Sequence, residues 1–215
     1  MNKVKFKNAQ EAFEHLYDFI MFFGEEVGNG TRSFYNCGFY IENPKDNFIN
    51  TSWRKWNPKY ADREWQWYLS KNRSVEELKK FAPIWDKMHN GNNIVNSNYG
   101  YQWSRNEQLT YVINELTRDN NSRKANISIY DGKEHPEYTH DTPCTLSIGF
   151  RIVHNKLNMS VIMRSNDLVY GFCNDQYCFS KLQQIVADEL NKEIGTYYHF
   201  AQDMHIYESQ YKLKK

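Results

Sequence analysis

A cysteine, an arginine, a serine and two aspartates are spaced along residues 141–175 in a way that favours covalent chemistry on a phosphorylated ligand. Cys144 offers a thiol that can attack as a thiolate, and Arg164 offers a guanidinium that can bind an anion. The apolar run between them contains a turn near residues 154–156, which predicts a hairpin. Because paired strands are neighbours, we expect Cys144 and Arg164 to lie at adjacent strand ends.

The remaining groups of the stretch complete this inventory. Ser165 adds a hydroxyl, and Asp167 and Asp175 add carboxylates on the segment behind the hairpin. Cys144 is the candidate nucleophile because it pairs with Arg164, whose positive charge should lower the pKa of the thiol. We interpret the other cysteines as structural, since their spacing matches no zinc pattern; they are Cys37, Cys173 and Cys178.

The same stretch resembles the core of the thymidylate synthase superfamily, in which a Pro-Cys pair carries the nucleophile and Arg-Ser-x-Asp follows one hairpin later. Here these motifs are Pro143-Cys144 and Arg164-Ser165-Asn166-Asp167. The spacing RSND-x-x-x-G-x-x-x-D looks most like that of the phage deoxycytidylate hydroxymethylases. Thr145 stands where thymidylate synthases usually carry His, and Met163 replaces the Gln before their Arg-Ser.

Further motifs follow the superfamily's order. Glu64 begins a Glu-x-x-Trp-aromatic segment, whose carboxylate organises the catalytic water in the family; an exposed helical glutamate is the alternative interpretation. Aromatic walls would desolvate Glu64 and raise its pKa. The resemblance implies substrate contacts for Arg164, Ser165, Asn166, Arg123, Lys124, Tyr99, His205 and Tyr207, and folate contacts for Trp85, Asp167 and Gly171.

The segment Asp119–Lys124 resembles the family's Asp-x-x-Ser-Arg-Arg, whose arginines reach into the partner subunit to hold the phosphate. This implies a homodimer in which Arg123 crosses to the other site, with the sheet as its interface. Lys124 keeps the charge but loses the fork geometry of arginine. Near the N-terminus, Glu26 stands where the family carries a basic phosphate ligand, and Arg32 is the candidate substitute.

The resemblance implies a single α/β (α+β) domain over residues 1–215, with a mixed sheet packed by helices. Hydrophobic periodicity predicts helices over residues 8–23, 61–72, 107–117 and 174–190 and strands over residues 32–41, 126–130 and 195–207. Ser74 and Glu77 match a capping box for a short helix. Because the chain stops at Lys215, we expect it to lack the family's long C-terminal tail.

The resemblance also implies 5,10-methylenetetrahydrofolate as cosubstrate and a pyrimidine nucleotide monophosphate as substrate. Addition of the Cys144 thiolate at C6 would make C5 nucleophilic. Asp175 stands where thymidylate synthases carry Asn, and a carboxylate accepts from the cytosine amine. We therefore expect 5-hydroxymethylation of dCMP with water. A thymidylate synthase or hydroxymethylase acting on dUMP and a non-catalytic nucleotide-binding relative remain alternatives.

Composition limits other roles. The net charge of +1 provides no field for nucleic acid or a membrane surface, so direct nucleic-acid binding is not expected. The apolar run at residues 19–23 is too short to cross a bilayer, and no metal-ligand pattern is evident. We expect a cytoplasmic protein, in the host cytoplasm if a phage encodes it. The 16% aromatic content fits either a core or stacking walls for a flat ligand.

Overall fold

The computed structural model describes residues 3–214, which form one mixed α/β unit. Within this range the strands are β1 (Lys5–Phe6), β2 (Glu25–Val27), β3 (Thr31–Ile41), β4 (Asn126–Ser128), β5 (Thr145–Val153), β6 (Lys156–Met163), β7 (Asn166–Asp167) and β8 (Glu193–Tyr207). The α-helices are α1 (Ala9–Phe23), α2 (Pro58–Ser70), α3 (Trp85–Met88), α4 (Tyr99–Ser104), α5 (Gln108–Arg118) and α6 (Cys173–Glu189).

The strands form a sheet in the order β1-β3-β8-β6-β5-β4, with β2 paired to β3 and β7 paired to β8. The central pair β6 and β8 is parallel, whereas β3 with β8 and β5 with β6 are antiparallel. This confirms the predicted mixed sheet packed by helices. Because β7 continues beyond the end of β6 along β8, the loop after the hairpin is held against the centre of the sheet.

The two faces of the sheet differ in burial. Alternate residues of β3, β6 and β8 are buried, and the residues between them stay partly exposed, as the period of two in a strand requires. Helices α1 and α6 pack against these strands. One face of the sheet therefore carries the core, and the opposite face remains open in a single chain.

The predicted helices form, with boundaries set by their caps. Asn8 caps α1 by accepting from the backbone nitrogen of Glu11 at 2.9 Å. Helix α2 begins at Pro58, three residues earlier than predicted, because Asn57 accepts from the nitrogens of Lys59 and Tyr60. The predicted capping box was wrong: the turn at Leu78–Lys80 begins after Glu77 and has no side-chain cap.

The central hairpin turns at His154 and Asn155, both with left-handed backbone conformation, so that Val153 pairs with Lys156. Two consecutive residues with positive φ give the twist that a two-residue hairpin turn needs. A bulge interrupts β5 between Thr145 and Ser147. This irregularity lies directly after Cys144, where bulges commonly redirect a side chain.

Two close approaches fix the elements around Cys144. A Cβ on Gly100 would lie 1.6 Å from the carbonyl oxygen of Tyr68, so α4 can pack this closely on α2 only with glycine there. After β7, one wide helical turn, Leu168–Phe172, leads into α6. That turn places Asp175 in the first turn of α6.

Candidate active site

Cys144 and Arg164 meet as the hairpin predicted. The Arg164 nitrogen donates to the Cys144 carbonyl at 2.8 Å, which ties the two strand ends together. The guanidinium of Arg164 donates to the carbonyls of Thr142 and Pro143, and its Nη2 lies 3.7 Å from Cys144 Sγ. Arg164 is exposed and Ser165 is half-buried, so both have access to a ligand above the thiol.

Arg164 lowers the pKa of Cys144 as expected, but the net shift of this pKa is upward. Burial raises the pKa of this thiol to about 11, and the positive charge of Arg164 only partly offsets that effect. The negative charges of Asp175, Asp141 and Asp167 raise the pKa further. The carboxylates that surround the thiol thus counteract the guanidinium, which sequence spacing did not reveal.

Tyr99 holds the backbone of the nucleophile strand. Its buried hydroxyl accepts from the backbone nitrogens of Cys144 and Thr145, each at 3.2 Å. Burial raises the pKa of Tyr99 well above its ordinary value, so the phenol stays neutral. Tyr99 is therefore close to the nucleophile as predicted, and its visible contacts are with the protein backbone.

Asp141, which no sequence motif marked, fastens the segment before α4 to the nucleophile strand. Its buried carboxylate accepts from the backbone nitrogens of Asn96 and Ser97 at 2.7 and 2.6 Å and also from the Ser97 hydroxyl. Asn98 then caps α4 by accepting from the Tyr101 nitrogen. This chain of contacts fixes where Tyr99 begins its helix.

Glu64 is buried among aromatic rings, so it is not the exposed helical glutamate of the alternative interpretation. Its Oε1 accepts from Tyr68 at 3.4 Å, and its Oε2 is buried without a partner among the described residues. Burial raises the pKa of Glu64 to about 8, with a further contribution from the charge of Asp175. A carboxylate with a free oxygen and this pKa is suited to exchanging protons with a water.

Asp175 is half-buried and is held by Asn166. The Asn166 amide donates to Asp175 Oδ2 at 2.7 Å. A Cβ on Gly171 would lie 2.9 Å from that amide nitrogen, so the absence of a side chain at Gly171 leaves room for the contact. Burial raises the pKa of Asp175 to about 7, although the Asn166 hydrogen bond opposes the rise.

Asn166 is in turn bonded to a histidine that sequence reasoning missed. His199 Nε2 lies 3.0 Å from Asn166 Oδ1, and His199 Nδ1 lies 2.8 Å from the hydroxyl of Tyr197. All three residues are buried. The period of two along β8 could have placed His199 on the core face, but nothing in the sequence indicated its partner.

Asp167, His205 and Tyr207 lie together at the end of the β7–β8 pair, where Asp167 pairs with His205. Asp167 caps the following helical turn by accepting from the nitrogens of Val169 and Tyr170. Burial raises the pKa of Asp167, and the neighbouring His205 lowers it. Tyr207 is exposed at this edge, yet desolvation and, to a smaller extent, the charges of Asp167 and Cys144 raise the pKa of its phenol.

Trp85 extends the aromatic wall next to Glu64. Its indole nitrogen donates to the hydroxyl of Tyr60 at 2.8 Å, and its ring packs edge-on against Trp67. Burial and the charge of Glu64 both raise the pKa of Tyr60. Trp85 is thereby linked through Tyr60 to the Glu64 region, and flat apolar surfaces of this kind suit a heteroaromatic ligand.

Arg123 lies on the open face of the sheet. With Lys3 and Arg151 it lines a groove of about 560 Å³ across β5, β6 and β8. Among the described residues, no hydrogen bond or ion pair connects the side chains of Arg123 and Lys124 to Cys144 or Arg164 of the same chain. Within one chain, these two predicted phosphate ligands are therefore not brought together with the nucleophile.

Arg32 is engaged elsewhere. Its guanidinium donates to the Met21 carbonyl at 2.6 Å and to the carboxylate of Glu26, and it lies over the ring of Tyr211. These contacts close the end of α1 onto β3. An arginine already paired with a carboxylate has less charge to offer a phosphate, which weakens Arg32 as the substitute ligand.

The site thus combines a thiol, a cation and two carboxylates with raised pKa values. Over residues 3–214 no group of three or more His, Cys, Asp or Glu is arranged to hold a metal ion. No helix in the same range is both long and apolar enough to span a membrane. Covalent addition followed by proton transfer is the chemistry that these groups can perform.

Comparison with known proteins extends the resemblance beyond the motifs. The chain is 34% identical over 143 residues to the deoxycytidylate 5-hydroxymethyltransferase of Enterobacteria phage T4, which covers 61% of this chain and 57% of that enzyme. It is 28% identical over 188 residues to the thymidylate synthase of Fusobacterium nucleatum, with coverage of 84% and 68%. It is 28% identical over 181 residues to the deoxyuridylate hydroxymethyltransferase of Bacillus phage SP01, with coverage of 75% and 46%.

The match to the family model spans residues 21–215, so it includes the N-terminal segment around Glu26 as well as the motifs from Glu64 onward. The fold is accordingly of the thymidylate synthase type. The order of the motifs, the hairpin and the carboxylates around Cys144 agree with this match. The chain belongs to the thymidylate synthase family.

Proposed function

We propose that the protein is a one-carbon transferase that converts dCMP to 5-hydroxymethyl-dCMP with 5,10-methylenetetrahydrofolate and water. The observation that carries this proposal is Asp175, a carboxylate held by Asn166 whose charge raises the pKa values of both Cys144 and Glu64. An ionised carboxylate accepts from the N4 amine of cytosine, and a protonated one can share its proton with N3. Protonation at N3 would also make C6 more electrophilic, so the same contact serves binding and rate.

In the proposed reaction Cys144 Sγ bonds to C6 of the base, and the C5–C6 electron pair moves to C5. C5 then bonds to the one-carbon unit, for which the folate supplies an electrophilic methylene. Loss of the C5 proton and departure of tetrahydrofolate from the one-carbon unit leave an exocyclic methylene on C5, while Cys144 stays bonded to C6. Glu64 takes a proton from the water that attacks this methylene; the C5–C6 double bond then re-forms and Cys144 leaves as the thiolate, which yields the hydroxymethyl group. The role of Glu64 is supported by its free, buried Oε2.

The proposed ligand contacts are those that the family resemblance implies. Arg164 and Ser165 face the phosphate, Asn166 and Tyr99 support the base and the nucleophile, and His205 and Tyr207 face the sugar. Trp85, Asp167 and Gly171 border the folate, whose ring system fits the aromatic wall beside Glu64. The raised pKa of Cys144 requires that a proton leave the thiol during attack, and Arg164 is the cation at hand to stabilise the thiolate.

We propose a homodimer as the active form. Arg123 lines the groove on the open sheet face, and Cys144 of the same chain does not line that groove. If the open faces of two copies pack together, Arg123 and Lys124 can reach the partner's phosphate site. The groove itself carries Arg123, Arg151 and Lys3, so an anion would balance its positive charge.

A second candidate is action on dUMP. Because burial raises the pKa of Asp175 to about 7, part of the population is protonated near neutral pH and can donate to O4 of uracil. The similarity to the Fusobacterium nucleatum thymidylate synthase also favours this candidate.

The test is to incubate the protein with dCMP, dUMP or CMP plus methylenetetrahydrofolate and to weigh the nucleotide products. We expect hydroxymethylated dCMP as the main product. Thymidylate from dUMP would overturn the proposal in favour of a thymidylate synthase. Nucleotide binding without any product would indicate a non-catalytic relative.

A further inference from the structure

His199 lies within a hydrogen-bond chain that runs from Tyr197 through Asn166 to Asp175. The ring lies on β8 and is completely buried, stacked on Phe39 and edge-on to Phe172. Burial lowers the pKa of His199 to about 3, so the imidazole is neutral and carries one proton on one nitrogen. A neutral imidazole donates from one nitrogen and accepts at the other, so the hydrogen bonds on its two sides have the same donor-to-acceptor order.

The direction of this chain follows from the donors and acceptors. The Asn166 amide nitrogen faces Asp175 Oδ2 at 2.7 Å, which turns the Asn166 carbonyl oxygen toward His199. A carbonyl oxygen only accepts, so His199 Nε2, 3.0 Å away, must carry the proton. His199 Nδ1 then accepts from the hydroxyl of Tyr197 at 2.8 Å. The three hydrogen bonds from Tyr197 to Asp175 therefore have a single assignment of donors and acceptors.

We propose that His199 is a positioning residue that sets how Asp175 presents itself to the nucleotide base. By fixing the Asn166 amide, His199 holds Asp175 Oδ2 as an acceptor and leaves Oδ1 for the base. The inference rests on the proposed function, in which Asp175 reads the base. Its consequence is that a proton exchanged with the base resides on Oδ1, because Oδ2 already accepts from Asn166.

The space around Asn166 supports this role. Gly171 leaves room for the Asn166 amide, since a Cβ there would crowd its nitrogen at 2.9 Å. Asn166 and His199 are both buried, and their contact opposes turning over of the amide together with the bond to Asp175. If the amide turned over, its oxygen would face the carboxylate and repel its ionised form.

Other titratable groups also surround Asp175 and must be held constant in a test. They lie on α2, α4, α6, β7, β8 and the start of β5: Tyr60, Glu64, Tyr68, Tyr99, Cys144, Asp167, Cys173, Cys178 and Tyr197. Substitution of His199 changes none of them chemically, so an altered pH profile would report on the hydrogen-bond chain.

The experiment compares His199→Phe, which keeps an aromatic ring but neither hydrogen bond, with His199→Gln, which can donate to Asn166 and accept from Tyr197. Phe39→Leu is the packing control, because Phe39 touches the His199 ring without joining the chain. For each variant we would measure kcat/KM on dCMP and dUMP across pH, together with Tm.

We expect His199→Phe to reduce the preference for dCMP over dUMP by about 10-fold or more, the equivalent of one mispaired buried hydrogen bond. In the plot of kcat/KM against pH, the limb that reports the ionisation of Asp175 should move to higher pH. The reason is that the Asn166 donor no longer stabilises the ionised carboxylate. His199→Gln should restore most of the preference and the limb. Phe39→Leu should lower Tm but retain both.

The proposal would be overturned if His199→Phe kept the wild-type base preference and pH profile. It would also be overturned if Phe39→Leu altered both as His199→Phe is expected to do. If His199→Phe does not fold, Tyr197→Phe provides the test. Loss of the Tyr197 hydroxyl should shift the pH profile of kcat/KM in the same direction, and an unchanged pH profile would overturn the proposal. A wild-type preference for dUMP would instead refute the proposed function. The pH profile of kcat/KM on dUMP would then still test whether His199 positions Asp175. Failure of the proposed function and failure of the positioning role are therefore distinguishable.

Discussion

The hydroxyl of Tyr99 lies 3.2 Å from the backbone nitrogens of both Cys144 and Thr145, so one phenol from α4 fixes the start of β5 at the nucleophile. The bulge between Thr145 and Ser147 follows immediately. A ladder partner is missing where a strand is irregular, and the phenol satisfies these backbone donors instead.

Tyr99→Phe should therefore destabilise the protein and slow turnover. Loss of the acceptor leaves buried N–H groups unpaired, at roughly 1–3 kcal/mol each. Tyr17→Phe is the matched control, because Tyr17 also buries a hydroxyl but donates it to the Gln210 carbonyl, away from the thiol. Denaturant unfolding and steady-state kinetics would check this: a kcat as high as that of Tyr17→Phe would contradict a positioning role for Tyr99.

Cys144→Ala should reduce product formation and C5 hydrogen exchange to the background rate while nucleotide binding persists. The thiol forms the bond to C6, whereas Arg164 and Ser165 are proposed to carry the phosphate. Cys37→Ala is the control, since Cys37 is buried in β3 and has no proposed role in the reaction. Tritium release from C5-labelled nucleotide is the measurement, and substantial release by Cys144→Ala would refute the covalent mechanism.

Mixing inactive subunits tests the shared site. Arg123→Ala and Cys144→Ala should complement each other, because one site of the mixed dimer would contain Cys144 from one subunit and Arg123 from the other. Arg164→Ala mixed with Cys144→Ala should not complement, because Arg164 and Cys144 lie 3.7 Å apart in the same chain. If both mixtures recovered activity equally, or if neither did after verified subunit exchange, Arg123 would not serve the partner's site.

Glu64→Gln should slow the attack of water more than the condensation, by on the order of 10²–10⁴-fold for lost general-base assistance. Since burial raises the pKa of Glu64 to about 8, the wild-type water step should gain rate as pH rises toward that value. Separate measurement of C5 tritium release and hydroxymethyl formation distinguishes the two steps. Wild-type hydroxymethyl formation by Glu64→Gln would return this residue to a structural role.

The same substitution should affect stability in a pH-dependent way. A carboxyl whose pKa is raised on folding binds more protons in the folded state, so wild-type stability falls as pH rises from the ordinary glutamate pKa toward about 8. Glu64→Gln removes this penalty. It should therefore raise Tm relative to wild type at pH 8 and have a smaller effect at pH 5, by thermal unfolding at both pH values.

Asp175→Asn should shift base preference from cytosine to uracil. Asparagine can donate to uracil O4 and accept from its N3 hydrogen, whereas an ionised aspartate offers only acceptors. Each mispaired buried group costs roughly 1–3 kcal/mol, so the ratio of kcat/KM for dUMP over dCMP should rise by about one to several powers of ten.

Phosphate affinity provides the internal control for that experiment. It should stay nearly constant, because Arg164 and Ser165 are proposed to hold the phosphate in both proteins. If the wild type already prefers dUMP, or if Asp175→Asn leaves the ratio unchanged, Asp175 does not select the base.

The sequence by itself determined the order of the chemical groups and most of the elements that carry them. Local patterns were sufficient for this, because caps and periodicity act between residues close in the chain. Asn8 began α1, and the turn at His154 and Asn155 made the hairpin that brings Cys144 next to Arg164. The proposed burial of Glu64 also followed from the aromatic residues of its own helix.

The tertiary structure decided how these groups are tuned. Asp141 reaches across to Ser97, and His199 reaches Asn166 from another strand, contacts that no local spacing encodes. The pKa of Cys144 moved opposite to expectation, because desolvation and charges from distant segments outweigh one adjacent guanidinium. Burial and electrostatic balance depend on everything within a few ångströms in space, and only the folded chain specifies those neighbours.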